Sequence, residues 1–180
     1  MEHIILGLLI YKSLTIYEIN SAFKESLSLI YSASYGSIQN AIKKLLKNDM
    51  ITFVEEVDKG RKKKIYSIEP AGKDAFFQWM QDEISESKLE TNMLIKIYFL
   101  GFIDSKQARL SIVKDILGKV SEAAQEISSL KESLDESLSE EDKIFAKYPL
   151  KTLDYGVMSH EAAKNWVNEI YETIKKDTRN

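Results

Sequence analysis

A chain of 180 residues, 44% hydrophobic and 29% charged, is long enough to bury a core as one domain or as two small ones. It contains no cysteine, which excludes a disulfide framework and a thiolate zinc site and points to a reducing, cytoplasmic setting. A formal charge of −3 gives no global support for a polyanionic partner, so such a partner must be read from where the charges fall. They fall unevenly: Lys43, Lys44, Lys47, Lys59, Arg61, Lys62, Lys63 and Lys64 crowd one stretch, whereas Glu132 to Asp142 is mostly acidic and serine-rich.

The start, Met1-Glu2-His3, lacks the basic flank of a secretory signal, and the run Ile4 to Tyr11 is interrupted by Gly7 and too short to cross a bilayer. Neither secretion nor membrane insertion is expected. That run is apolar on nearly every face, which predicts a short buried helix. After a break at Lys12-Ser13-Leu14, Thr15 with Glu18 three residues on forms a capping signal for a second helix. Ile16, Ile19 and Phe23 then share one face, and Asn20, Ser21 and Lys24 are expected to face away.

A serine- and tyrosine-rich loop, Ser32 to Tyr35, leads to a third helix from about Gly36, with Ile38, Ala41, Ile42, Leu45 and Leu46 as its apolar stripe. Its other face carries Ser37, Gln39, Asn40, Lys43, Lys44 and Lys47. Amides of this kind pair with adenine in the major groove, and lysines neutralise phosphates or reach guanine. Any solvated helix face is polar, so this face alone decides nothing. The following residues shift the balance. Ile51 to Val57 reads as a strand, Asp58-Lys59-Gly60 as a turn and Ile65 to Ile68 as a returning strand, with Lys59, Arg61, Lys62, Lys63 and Lys64 near the tip. A basic run by itself is often only a solvated loop. Three short helices followed by a basic-tipped hairpin is more specific, and predicts a winged helix-turn-helix whose third helix enters the major groove.

Ile5-Leu6-Gly7-Leu8-Leu9, Tyr17-Glu18-Ile19, Gly36-Ser37-Ile38, Gly60-Arg61, Tyr66 and Ala71-Gly72 occur in an order and spacing that resembles the DNA-binding domain of PadR-type transcriptional regulators. Two departures stand out. Ser32-Ala33-Ser34-Tyr35 replaces the family's usual Pro-Ser-Pro before Gly-Ser-Ile, and Gln39-Asn40 replaces its usual Tyr-Pro after it, so base preference does not carry over. The second half resembles the helical C-terminal domain of the longer PadR subfamily. The resemblance implies a mainly α protein: a winged helix-turn-helix with a two-stranded β wing over residues 1–84, then a helical dimerisation and effector domain over 85–180.

After the wing, Pro70 suits the first turn of a helix, and Phe76, Phe77, Trp79 and Met80 are expected to pack near the wing. Ser85-Glu86-Ser87-Lys88 reads as a linker. Met93 to Ile103 is too apolar for a surface helix, and Asp104-Ser105 supplies a cap for a long one. Along it Ile116, Val120, Ala123, Ile127, Leu130 and Leu134 recur in alternating steps of four and three, a seam that needs a partner. The partner is the last helix of the same chain, where Ala163, Trp166, Val167, Ile170 and Ile174 make a stripe, or the equivalent helix of a second subunit, and a mixture of both is favoured. A dimer is favoured because one winged helix contacts few base pairs and two half-sites raise specificity.

Enzyme chemistry lacks its parts. There is no cysteine nucleophile, no His-Glu-x-x-His and no glycine-rich phosphate loop, and His3 and His160 read as surface residues. Glu140-Glu141-Asp142 reads as a solvated loop without calcium-loop spacing. No cofactor or metal is expected. The resemblance implies a small aromatic effector, for which Tyr98, Phe102, Tyr155, Trp166 and Tyr171 are candidates, though aromatic residues at helical spacing also serve as core. The expected function is a dimeric repressor on double-stranded DNA. Gln39, Asn40 and Lys43 would read bases, Ser34, Tyr35, Ser37 and Lys44 would lie near phosphates, and Arg61 and Lys63 would anchor the wing. A winged helix that binds a protein instead of DNA is the alternative, since fold does not dictate function.

Overall fold

The computed structural model describes residues 1–58 and 61–177. The chain divides into two compact units: Met1–Asp82 with Glu90–Phe99, and Glu83–Leu89 with the residues from Leu100 onward. Among the described residues no helix is long and apolar enough to cross a membrane.

The first unit is built around α1 (Glu2–Tyr11), in which Ile4, Ile5, Leu6 and Leu9 are all buried. Gly7 is a packing slot: a Cβ there would lie 2.8 Å from the Phe99 ring and 2.9 Å from that of Phe76. The break after α1 is a short strand, β1 (Leu14–Thr15), so the sheet has three strands rather than two. Thr15 then caps α2 (Ile16–Glu25) as expected: its hydroxyl accepts the Glu18 amide at 3.2 Å, and the Glu18 carboxylate accepts the Thr15 amide at 2.7 Å. Asn20 does not face away. Contacts with α3, β1 and β3 widen the buried arc of α2 to take in Ile19, Asn20 and Phe23.

Helix α3 (Tyr35–Lys47) buries Ile38, Ala41, Ile42 and Leu45, one turn apart along a single stripe. It ends in a Schellman arrangement, with the Met50 amide bonded to the Leu45 carbonyl and the Asp49 amide to that of Leu46. Asp49 takes the left-handed position at φ 52°, where glycine is usual. Strands β2 (Ile51–Asp58) and β3 (Arg61–Ile68) pair antiparallel from Ile51↔Ile68 to Asp58↔Arg61, and β1 joins the other side of β3. The expected turn residues Lys59 and Gly60 lie outside the described residues, as does the side chain of Arg61.

Pro70 opens α4 (Pro70–Gln81), whose buried residues Gly72, Phe76 and Met80 are spaced by four. A Cβ on Gly72 would lie 2.1 Å from the Met50 carbonyl oxygen, which already accepts the Glu69 amide at 3.0 Å. That close approach turns α4 onto α1. The aromatic residues expected near the wing therefore sit elsewhere: Phe76 meets Phe99 edge-on at 5.6 Å, and Trp79 stacks on His3 at 4.9 Å. Helix α5 (Leu89–Tyr98), preceded by a single 3-10 turn at Glu86–Lys88, adds buried Met93 and Ile95. It also buries Lys96, whose ammonium donates to the Asp82 carbonyl and lies 5.5 Å from the Trp79 ring.

The second unit is a hairpin of α6 (Lys106–Ser137) and α7 (Glu140–Lys176), about 48 and 55 Å long at 1.5 Å per residue. Ser105 caps α6 through the Ala108 amide, as expected from Asp104-Ser105. The seam on α6 packs over its first half, where Ile112, Val113, Ile116, Val120 and Ala124 are buried, together with Val167 of α7. Farther along it loosens. Ile127 and Leu134 are only partly covered and Leu130 is 51% exposed. The acidic run Glu140-Glu141-Asp142 is not a loop but the first turn of α7, where Ser139 accepts the Asp142 amide and carboxylates suit the positive end of a helix.

Candidate nucleic-acid interface

On α3, Gly36, Gln39, Asn40, Lys43, Lys44 and Lys47 are all exposed and recur in steps of three and four, so they form one stripe opposite the buried one. The stripe spans about 16 Å of helix, within reach of a major groove about 12 Å wide. Ser34 caps its start by accepting the Ser37 amide at 3.1 Å, while the Ser37 hydroxyl donates to the Ser34 carbonyl at 2.7 Å. These two residues thus build the helix end itself. Tyr35 beside them is 47% exposed, and a Cβ on Gly36 would meet nothing within 4 Å. No packing among the described residues requires glycine there, whereas close approach of an outside backbone would.

The basic residues are less free than their sequence suggests. Lys44 pairs with Glu2 of α1 at 3.3 Å. Across the hairpin, Lys63 pairs with Glu56 at 3.6 Å, and Lys64 pairs with Glu55 at 3.9 Å while lying 4.0 Å from the Phe53 ring centre. Since side chains alternate along a strand, Lys63 lies on one face of the hairpin and Lys62 and Lys64 on the other. The Glu18 carboxyl is held below the usual carboxylate range, first by the Thr15 amide and hydroxyl and also by the positive charge of Lys63. Glu2, Glu55 and Glu56 were missed as members of this surface. For the two glutamates on β2 the strand register is the reason: pairing from Ile51↔Ile68 to Asp58↔Arg61 sets Glu55 opposite Lys64 and Glu56 opposite Lys63.

Residues 5–78 match the family model described as the transcriptional regulator PadR-like family. Across 98% of its length the chain is 29% identical to the negative transcriptional regulator PadR of Bacillus subtilis, of which 98% is covered. Residues 5–78 are thus similar to the PadR-like family. Similar solved structures include Bacillus subtilis PadR in complex with operator DNA, at 26% identity, 96% of this chain, 98% of that one and a TM-score of 0.47. Another is the same protein in complex with p-coumaric acid, at 25% identity, 97% and 98% coverage and a TM-score of 0.42.

Of the five aromatic candidates for an effector site, Tyr98 belongs to the first unit and Phe102, Tyr155, Trp166 and Tyr171 to the second. Tyr98 ends α5 at 45% exposure, and Phe102 lies half-buried in a 3-10 turn at Leu100–Phe102. On α7, Tyr155 is 75% and Trp166 38% exposed, while Tyr171 is half-buried with the Lys175 ammonium 5.5 Å from its ring. Sixteen residues of helix set Tyr155 and Tyr171 about 24 Å apart. A cleft of about 660 Å³ in the second unit is lined by four lysines, two aspartates, Ile144 and Leu150, and by none of the five. Within it, Lys131 and Lys151 each lie 2.7 Å from Asp154 and hold its carboxyl down at about 2.

The histidines differ from the surface reading. His3 is half-buried against Trp79 with its Nδ1 enclosed and without a hydrogen-bond partner, and burial lowers its pKa. His160 is half-buried too, its Nδ1 2.8 Å from the Gly156 carbonyl.

Proposed function

We propose that this protein is a sequence-specific repressor that binds double-stranded DNA as a homodimer. The observation that carries this reading is the exposed α3 stripe, amide and ammonium groups at one-turn spacing on a helix anchored by its other face. Gln39, Asn40 and Lys43 read base edges. Tyr35, Lys44 and the ends of the wing, Arg61 and Lys63, meet phosphates, with Ser34 and Ser37 fixing the helix end from which Gly36 approaches the backbone. The family-model match over residues 5–78 and the likeness to a negative regulator support repression as the sign of the effect.

The homodimer is supported by an apolar stripe on the outer side of α7. Phe145, Tyr148, Thr152, Tyr155, Ser159, Ala162 and Trp166 recur in alternating steps of three and four, the repeat of a helix that packs along another. Phe145, Tyr148 and Tyr155 are at least 75% exposed within the chain. A second copy of this helix is the occupant that also doubles the DNA-reading unit for two half-sites. Residues 1–84 then carry DNA recognition and residues 85–180 assembly, with α5 lending its buried face to the first unit. The protein acts in the cytoplasm and without enzymatic activity.

A small aromatic effector that releases DNA belongs to the same reading and rests on the family resemblance. Selection of duplexes from a random library at near-physiological salt tests the DNA half. An enriched two-fold symmetric site with half-sites about one helical turn apart is expected, and absence of enrichment would refute it. Quenching of Trp79 and Trp166 fluorescence by a series of aromatic acids tests the effector half. No saturable change with any of them removes it.

A further inference from the structure

Three of the lysines nearest the α3 stripe and the wing are each seated against a carboxylate from a neighbouring element. Lys44 faces Glu2 of α1, and Lys63 and Lys64 face Glu56 and Glu55 of β2, at 3.3, 3.6 and 3.9 Å. We propose that Glu2, Glu55 and Glu56 act as internal competitors of DNA phosphate, lowering affinity for DNA of any sequence and flattening its salt dependence. The proposal rests on the DNA-binding reading above.

The competition is an ion exchange. A free lysine that neutralises a phosphate releases a condensed counterion, which contributes about 0.9 to the slope of log K against log salt. A lysine that must first leave a carboxylate uncovers a negative charge beside the DNA. That charge takes up a cation or repels the phosphate, and the net release is cancelled. Exchange is open to these pairs, because every partner is between 38% and 70% exposed and such pairs are held weakly. The lysine stem is flexible enough to turn its ammonium from one oxygen to another.

The competitors themselves cannot drift away. Strand register holds Glu55 opposite Lys64 and Glu56 opposite Lys63, and Glu2 is fixed in the first turn of α1, whose apolar residues form the core. The basic stretch therefore presents fewer effective positive charges to DNA than its lysines number. The sequence-independent electrostatic term, which supplies nearly all non-specific binding, is what this arrangement reduces.

The test measures binding of the full-length protein to a random-sequence duplex and to its selected duplex over a salt series. Glu2→Gln, Glu55→Gln and Glu56→Gln are each expected to tighten binding by up to about eightfold at 0.1 M salt and to steepen the slope by about 0.9. Glu126→Gln, on α6 and outside these pairs, controls for net charge and should leave the slope unchanged. In a Lys64→Gln background the gain from Glu55→Gln should vanish. Helicity and melting of each variant establish that it is folded. Unchanged slopes in the three variants, weaker binding, or an equal gain from Glu126→Gln would overturn the proposal. A wild-type protein that binds no duplex in a salt-dependent way would instead overturn the DNA-binding reading on which it rests.

Discussion

Replacing Tyr155 by glutamate tests the dimer where its energy should be concentrated. Tyr155 is 75% exposed within the chain, as is Tyr148, and Phe145 is 80% exposed. An aromatic side chain offers roughly 200 Å² for burial, so each of the three would contribute about 150 Å² on association. Two copies give about 900 Å² from these residues alone, and Ile144 and Met158, more than 70% exposed nearby, carry the total into the roughly 1,200–2,000 Å² of a stable interface. At about 25 cal/mol per Å², losing Tyr155 from both copies removes about 8 kcal/mol of gross burial. Even if half is realised after the costs of association, about 4 kcal/mol corresponds to about a thousandfold in the dissociation constant. Glutamate is a good helix former and the site is exposed, so the monomer should keep its helicity. Sedimentation at micromolar concentration should show a dimer for the wild type and a monomer for Tyr155→Glu, with cooperative operator binding lost in parallel. A Tyr148→Glu/Tyr155→Glu protein that remains a dimer with the wild-type dissociation constant would refute the assignment of this face.

Because Lys44 pairs with Glu2, Lys44→Ala should reduce the salt slope of DNA binding by distinctly less than the about 0.9 expected of the same change in a Glu2→Gln background. Equal changes would show that Glu2 does not hold Lys44 in solution. Gly72→Ala should cost roughly 2–4 kcal/mol in urea unfolding, because the new Cβ meets the Met50 carbonyl and disturbs its bond from Glu69, outweighing alanine's better helix propensity. Asp49→Gly should stabilise by up to about 1 kcal/mol, since it relieves a left-handed residue without touching the Schellman bonds; a lower melting temperature would contradict this. Burial depresses the His3 pKa in the folded state, so the unfolded chain binds the proton more readily and stability is lost as pH falls below the ordinary histidine value of 6.5. Melting curves of His3→Phe between pH 7 and 5 should show a smaller decline than the wild type, and parallel declines would refute the role of His3.

Local signals were legible where a single element contains its own instruction. The Thr15–Glu18 capping box, the Ser105 cap and the 38, 41, 42, 45 stripe of α3 are complete within a few residues, and each lies where the sequence puts it. What failed was anything decided by a second element. Asn20 is covered because α2 touches both α3 and the sheet, and nothing in its own helix says so. Phe76 leaves the wing for α1 because Gly72 and Gly7 allow backbone and ring to approach, and in a one-dimensional reading a glycine in a helix counts only as a weakness. The two-residue strand β1 is too short to show periodicity, and only its pairing with β3 defines it. The seam of α6 was legible as a repeat, but its loosening beyond Ala124 depends on what α7 presents opposite each position.

The charged surface shows why counting residues misleads even when the elements are placed well. Lys62, Lys63 and Lys64 are adjacent in sequence and were read as one basic patch. In a strand adjacent residues point to opposite faces, so the run is split between two surfaces. Pairing then divides it again, because the hairpin that brings the lysines forward necessarily brings Glu55 and Glu56 beside them. On α3 the logic reverses. Lys43-Lys44 and Lys47 are interrupted by Leu45-Leu46 yet share one helix face with Gln39 and Asn40, and among the described residues only Lys44 of the three meets a carboxylate. The helix therefore has the greater claim to reading sequence, and the wing, partly neutralised by its own strand, is better suited to holding orientation against the backbone than to supplying bulk affinity.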